Sequence, residues 1–146
     1  PQLLPWPGMP EERFFILMPD IFHYNQPVSR EHWERSRFDP ETVPWVRISY
    51  IKPEKLSSYI FYHYQFQEEK PGEGDKYGMI GLHENMLCFY LEKPFTIEKA
   101  PFSGLLTTNN TPGKWKETMV PHFIPWPDPL PGQELWKETE LIFSLR

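Results

Sequence analysis

The sequence predicts one α+β domain in which a small antiparallel sheet carries few helices. Three observations favour this class. Residues 45–51 alternate in polarity and are rich in β-branched side chains, as strands are. Residues 77–91 have the pattern of a β-hairpin, and Pro53 opens a segment with the composition of a helix start. At 146 residues the chain has the usual size of a single domain.

The N-terminal third of the chain has no clear periodicity. The chain contains 18 prolines, concentrated at both ends, and this is more than double the average usage of about 5%. We expect residues 1–44 to form an irregular, proline-rich extension packed on the domain, with a short apolar run at 14–18. One helical turn is predicted at 30–34, where Ser29 can cap its beginning. The predicted α+β domain then spans residues 45–146.

The segment after the first domain strand, residues 53–69, is predicted to be helical. A proline in the first turn followed by an acidic residue is typical of a helix start. The aromatic content of residues 59–66 favours a strand by propensity alone, so the alternative stays open. In a helix, Tyr59 and His63 lie one turn apart on the same face, whereas in a strand they share a face at a greater distance.

The rest of the domain alternates between turns and short elements. Residues 71–75 have the composition of a loop, and residues 95–113 are loop-like and weakly periodic. A short helix is predicted at 114–119, followed by a proline-punctuated crossing at 121–131. The partly alternating segment 135–145 is predicted to be a terminal strand.

Charge and composition disfavour several classes of partner. The net charge of -5 comes from Asp and Glu scattered along the chain, so we expect neither nucleic acid nor an anionic membrane surface as a partner. No apolar run approaches the roughly 20 residues that span a bilayer, and no signal-peptide pattern begins the chain. The single cysteine, Cys88, is interpreted as a small buried hydrophobe rather than a reactive thiol. Because no internal disulfide can form, a reducing compartment is indicated and the predicted location is the cytoplasm.

No motif for a metal or a cofactor is present. The five histidines have none of the close spacings of zinc sites: His23, His32, His63, His83 and His122. The glycine-containing stretch at 72–75 lacks the Lys-Ser/Thr of a phosphate-binding loop, and no Gly-x-Ser-x-Gly motif occurs. We therefore predict a site without metal or cofactor.

His63 is the candidate catalytic residue, and two interpretations of it stay open. A histidine in so aromatic a segment is ordinarily a packed, hydrogen-bonded core residue. With Tyr59 on the same helical face, however, an imidazole with a pKa near 6.5 can pass a proton to and from a bound hydroxyl at neutral pH. Aromatic walls also suit a sugar, whose C–H faces pack on flat rings while polar groups bind the hydroxyls.

Several motifs, in the same order along the chain, resemble the L-rhamnose mutarotase family over about residues 45–146. The run Ile51-Lys52-Pro53-Glu54-Lys55-Leu56, followed by Tyr59 and His63, is similar to the family's first strand and first helix. Further matches resemble its second and third strands, its tryptophan pair, its Pro-Gly-Glu-Trp-Trp segment and its closing strand: Tyr77 with 80–82, 87–92, Trp115-Lys116, Asp128 with 131–136, and 140–145.

The resemblance implies a fold, an activity and a set of site residues. It implies ferredoxin-like protomers that pair into a dimeric α/β-barrel, and a homodimer that interconverts the α and β anomers of L-rhamnose or a related sugar without a cofactor. His63 is implied as the proton donor and acceptor, with Tyr59 beside it. The implied substrate-binding residues are Tyr77, Trp115, Asp128 and Trp136.

Departures from the family keep two other functions open. The residues after His63 lack the family's Trp-Pro-Glu, Lys114 stands where the family has a second tryptophan, and residues 95–113 and 1–44 have no counterpart. A carbohydrate-binding or regulatory domain without turnover is the second hypothesis, and such a domain would bind sugar equally well after His63→Ala. A different function on a dimeric α/β-barrel, such as a small monooxygenase or a structural partner, is the third and predicts no sugar binding.

Overall fold

The computed structural model describes residues 4–9, 11–34 and 41–142. The described residues form six strands: β1 (Asp20–His23), β2 (Val43–Ile51), β3 (Met79–His83), β4 (Met86–Lys93), β5 (Phe123–Ile124) and β6 (Lys137–Glu138). Three α-helices accompany them: α1 (Arg30–Glu34), α2 (Leu56–Glu69) and α3 (Trp115–Met119). Short 3-10 turns precede α2 at Pro53–Lys55 and follow α3 at Val120–His122. Over the three described ranges, no helix has the length and apolarity needed to cross a membrane.

All strands belong to one antiparallel sheet. Its order is β1-β3-β4-β2-β5, and β6 also pairs with β2. Because β4 occupies one edge of β2, the two-residue strands β5 and β6 share the other edge, β5 at residues 50–51 and β6 at residues 47–48. The predicted α+β class with an antiparallel sheet is confirmed.

The strand register sorts the side chains of the sheet into two faces, because directly paired residues in antiparallel strands point the same way. One face, which we call the inner face, is covered by α2 and α3 and carries Phe22, Ile80, Phe89, Arg47, Ile51 and Phe123. The opposite face, which we call the outer face, carries Val46, Ile48, Tyr50, Met79, Cys88, Tyr90 and Ile124.

Residues 56–69 form a helix despite their aromatic content, which confirms the helical prediction and excludes the strand alternative. Tyr59, His63 and Phe66 recur at helical spacing on the side that packs against the sheet, and Tyr59 and His63 are 1% and 5% exposed. Phe61 and Tyr64, on other sides of the helix, remain exposed. A face that buries aromatic rings every third or fourth residue outweighs local strand propensity.

The prediction of an irregular N-terminal extension is wrong at residues 20–23, which form the edge strand β1 and pair with β3. A four-residue strand with one buried apolar side chain, Phe22, carries too little alternation to be read from sequence. The helical turn predicted after Ser29 is confirmed as α1, where the Ser29 hydroxyl accepts a hydrogen bond from the His32 amide at 3.1 Å. In addition, β2 begins at Val43, within the range assigned to the extension.

A buried ionic group fastens α1 to the segments that precede β3 and follow β4. The ammonium of Lys76, which is 0% exposed, donates to the main-chain oxygen of His32 and lies 2.8 Å from the Glu98 carboxylate. The same carboxylate lies 2.9 Å from Nε2 of His32, and the Tyr77 hydroxyl donates to the main-chain oxygen of Trp33 at 2.7 Å. Removing one member of such a pair leaves an uncompensated buried charge, so this group fixes the position of the extension.

The loop predicted at 95–113 is confirmed, apart from an isolated bridge between Ile97 and Asp75. The end of α2 holds the loop, because the Glu69 carboxylate accepts hydrogen bonds from residues Thr108, Asn110 and Thr111. Loss of water around this carboxyl disfavours its charge, but these hydrogen bonds outweigh that effect and lower its pKa to about 2.

The C-terminal part agrees with the sequence only partly. The hairpin of β3 and β4 and the helix α3 are confirmed. The predicted terminal strand at 135–145 is reduced to the two residues of β6 among the described residues, and its positions 143–145 lie outside them. The crossing at 121–131 contains the unpredicted strand β5, which is too short to show periodicity.

Candidate functional site

A cavity of about 450 Å³ lies between the inner face of the sheet and the helices α2 and α3. Its volume falls within the range of small-molecule sites, roughly 300–1,000 Å³. Most of its wall is aromatic or aliphatic, and its rings include those of Phe22, Tyr24, Phe66, Phe89, Trp115 and Trp136. The few polar side chains that line it therefore decide what chemistry it can perform.

His63 presents one ring nitrogen without a partner. Its Nδ1 lies 2.9 Å from the main-chain oxygen of Tyr59, one turn earlier in α2. A carbonyl oxygen can only accept, so Nδ1 carries the proton of the neutral ring and Nε2 is left as the acceptor. Nε2 has no hydrogen-bond partner among the residues that the structure describes. The rings of Phe22 and Trp115 hold the imidazole by edge contacts at 5.1 and 5.0 Å between centroids.

Burial lowers the pKa of His63 to about 4, from an ordinary value of 6.5. The hydrogen bond to Tyr59 opposes this shift, and the charge of His122 adds to it. The expectation of an imidazole pKa near 6.5 is therefore wrong. At neutral pH the ring is uncharged, so His63 meets a bound molecule as a proton acceptor.

Tyr59 supplies the complementary group. Its ring lies 4.0 Å from the His63 ring between centroids, and burial raises the pKa of its hydroxyl well above the ordinary 10.0. The phenol is therefore fully protonated at neutral pH. Its hydroxyl has no hydrogen-bond partner within the described ranges. Together the two side chains offer a neutral acceptor and a neutral donor side by side.

Four of the six predicted site residues line the cavity: Tyr59, His63, Trp115 and Trp136. The other two do not. Tyr77 is buried against the ring of Trp33 and uses its hydroxyl to bind the main chain of that residue. Asp128 lies exposed in the crossing after β5, with a positive φ of 49°. The resemblance implied both residues as substrate-binding, and in this chain both lie away from the cavity.

Two lining residues that the sequence did not indicate come from the extension. Phe22 contributes from β1, and Tyr24 follows directly after that strand. The ring of Tyr24 occupies a slot that two glycines leave open, since a Cβ at Gly74 or Gly78 would come within 2.4 or 2.7 Å of it. No local pattern marks Tyr24 as a site residue, because its position depends on the pairing of β1 with a strand far along the chain.

Other candidate groups are accounted for by structural contacts. Both ring nitrogens of His122 have partners, the Ser58 hydroxyl at 2.9 Å and the main-chain oxygen of Met119 at 3.2 Å. Cys88 is half-buried on the outer face rather than fully buried, and burial raises the pKa of its thiol. In the described part of the chain, no group of three or more His, Cys, Asp or Glu side chains is arranged to hold a metal ion.

Comparison with known proteins assigns the chain to no family. No protein-family model matches the chain, and neither a curated protein nor a solved structure is significantly similar to it. The fold and the site define the class by themselves: an α+β domain whose antiparallel sheet and two helices enclose an aromatic cavity with one unpartnered imidazole nitrogen.

We expect an NMR titration of the His63 ring to show a midpoint near pH 4, because protonation places a charge in an apolar cavity. The unfolded chain takes up this proton near pH 6.5, so the unfolded state binds more protons between the two values. Stability must then fall as the pH is lowered from 6.5 to 4, by roughly 3 kcal/mol at 1.36 kcal/mol per pKa unit.

Urea unfolding at a series of pH values measures this dependence. His63→Gln serves as the comparison, because glutamine does not titrate, and its stability curve should be flatter over the same range. A midpoint near 6.5 for His63, or equal slopes for the two proteins, would contradict the buried, neutral imidazole.

Proposed function

We propose that the protein is a mutarotase-like isomerase that interconverts the α and β anomers of L-rhamnose or a related sugar. The observation that carries the proposal is that His63, with an unpartnered Nε2 among the described residues, and Tyr59 both line the aromatic cavity, with their rings 4.0 Å apart between centroids. The motifs that resemble the L-rhamnose mutarotases place the same two residue types, four positions apart, on the first helix of that family.

The side chains match the steps of the reaction. In ring opening, His63 Nε2 takes the proton of the anomeric hydroxyl O1, C1 and O1 become an aldehyde, and the bond from C1 to O5 breaks. The Tyr59 hydroxyl gives its proton to O5 as that oxygen gains charge, so that His63 is briefly an imidazolium and Tyr59 a phenolate. Rotation about the bond from C1 to C2, attack of O5 on the other face of C1 and return of the protons complete the inversion. Acid–base assistance of this kind contributes typically 10²- to 10⁴-fold.

The walls of the cavity suit the rings of sugars. Between ring centroids, Trp115 lies 5.0 Å from His63 and Trp136 lies 5.5 Å from Phe123. Flat indole faces pack against the C–H faces of a sugar, and a 6-deoxy sugar such as L-rhamnose presents an additional methyl group to such a surface.

The topology supports a ferredoxin-like protomer. Without β1, the order of the sheet is β3-β4-β2-β5 with every pair antiparallel. One helix, α2, connects β2 to β3, and the other, α3, lies between β4 and β5. This is the strand order and connection of a ferredoxin-like βαββαβ unit, with β1 of the extension added at one edge.

The low pKa of His63 favours a second candidate, a carbohydrate-binding or regulatory domain without turnover. A base with a pKa near 4 has less driving force for taking a proton than one near the working pH. In such a domain the aromatic cavity would bind the sugar, and the imidazole would only accept a hydrogen bond from it.

Saturation-transfer NMR of anomer exchange separates the two candidates. We expect the wild-type protein to accelerate exchange of L-rhamnose, His63→Gln to lose about 10²- to 10⁴-fold of this acceleration, and Tyr59→Phe to lose less. Tyr64→Phe is the matched control, because Tyr64 lies on the same helix but is exposed. If the wild-type protein bound the sugar without accelerating anomer exchange, the result would contradict turnover and favour the carbohydrate-binding domain.

We further propose that two copies pair through the outer face into a dimeric barrel. This face is largely apolar, and Met79 and Ile124 on it are each 40% exposed, which supports an apolar contact. Sedimentation equilibrium should give a dimer for the wild-type protein and a folded monomer for Ile48→Glu, which places a charge in the middle of the face. A wild-type monomer at high micromolar concentration would overturn the dimer without affecting the cavity.

A further inference from the structure

A cation lies next to the cavity and forms no ion pair with any of the described residues. Arg47 is on the inner face of β2, directly opposite Phe89 of β4. Its guanidinium carbon lies 5.1 Å from the ring centroid of Phe89 and 5.7 Å from that of Trp136, and both rings line the cavity. The ring of Trp45, at 4.3 Å, supports it from the same strand.

One donor of the Arg47 guanidinium is buried and unpaired: its Nε has no partner within the described residues. Glu138 lies opposite it in β6 and favours its charge, but the two side chains form no ion pair. Burial lowers the pKa of the guanidinium, and it remains charged at neutral pH because arginine is effectively always protonated. A buried donor without a partner costs about 1–3 kcal/mol, so a bound group that accepts from it would be stabilising.

Tyr24 adds a second donor near this cation. The side chain lines the cavity. Burial raises the pKa of its hydroxyl, the positive charge of Arg47 opposes this rise, and the carboxylate of Asp75 adds to it. Its hydroxyl has no hydrogen-bond partner within the described ranges. The slot at Gly74 and Gly78 holds the ring in place.

The charge of the lining residues agrees with a negatively charged ligand. Lys116 is the only charged side chain among the described residues that line the cavity, and no carboxylate lines it. With Arg47 and Lys116, positive charge acts on a low-dielectric cavity, where its attraction for an anion is strengthened.

We propose that Arg47 and Tyr24 bind an anionic substituent of the ligand, a carboxylate or a phosphate, so that the preferred sugar is acidic rather than neutral. The planar guanidinium matches either group with two parallel hydrogen bonds, and the Tyr24 hydroxyl donates a third. That the ligand is a sugar rests on the proposed function, whereas its negative charge is inferred from Arg47 and Tyr24 alone. His63 and Tyr59 act on the anomeric centre, and Arg47 and Tyr24 recognise the substituent.

Isothermal titration calorimetry with three probes of the same sugar tests the anion site: D-galactose, D-galacturonate and D-galactose 6-phosphate. We expect at least one anion to bind about tenfold or more tightly than galactose. A factor of ten corresponds to the lower end of the free energy that a hydrogen bond to a charged group contributes. The stronger of the two anions identifies the group as carboxylate or phosphate. If the wild-type protein bound all three sugars with equal affinity, or bound neither anion, the inference would be overturned without any variant.

Three variants assign the effect to the side chain. Arg47→Gln should abolish the preference for the anion while leaving galactose within about twofold, and Arg47→Lys should retain part of it. Lys137→Gln is the matched control, because Lys137 is an exposed cation on the neighbouring strand β6. Equal weakening of all three sugars by Arg47→Gln, or loss of the preference in Lys137→Gln, would overturn the assignment.

Anomer exchange measured on the same sugars distinguishes failure of this inference from failure of the proposed function. Tight anion binding without accelerated exchange supports the anion site and contradicts the isomerase. Accelerated exchange with no preference for an anion supports the isomerase and overturns the anion site.

Discussion

The structure depends on how the aromatic face of α2 packs against the inner face of the sheet. Tyr59, His63 and Phe66 recur at helical spacing and meet Phe22 and the strands behind it, so one helical face both completes the core and bounds the cavity. The extension reinforces this arrangement, since β1 brings Phe22 into the core and Lys76 fixes α1 beside it.

The same burial sets the chemistry of the cavity. Removing water lowers the pKa of His63 and raises that of Tyr59, so both groups are neutral at pH 7 and differ only in whether they accept or donate a proton. A neutral pair suits ring opening of a hemiacetal, in which one proton leaves O1 and one reaches O5 without net change of charge. The same pair would limit the proposed reaction, because a weakly basic imidazole takes a proton with little driving force. Positive charge near the cavity comes instead from Arg47 and Lys116. These residues belong to β2 and α3, whereas His63 and Tyr59 belong to α2.

Local patterns were sufficient for the elements that have them. The helix α2 and the hairpin of β3 and β4 were predictable from periodicity and turn composition, and so was the presence of His63 and Tyr59 on one face. Short strands such as β1 and β5 carry no periodicity, and their pairing is decided by contacts between distant residues. For this reason Tyr24 and Arg47 could not be associated with the cavity from sequence. The low pKa of His63 could not be predicted because burial is a tertiary property. Tyr77 lies away from the cavity because its hydroxyl binds the main-chain oxygen of Trp33, far from it along the chain.

The central claim is that the cavity between α2 and the sheet is the binding site. The most direct measurement is a ¹⁵N–¹H spectrum of the tryptophan indole groups during titration with L-rhamnose and D-galacturonate, with each signal assigned by a Trp→Phe variant. Trp115 and Trp136 line the cavity, whereas Trp6 packs on His83 and Trp126 on Tyr50, at the outer face. The account predicts that the signals of Trp115 and Trp136 shift and that those of Trp6 and Trp126 do not. Shifts of Trp6 or Trp126, with Trp115 and Trp136 unchanged, would contradict it.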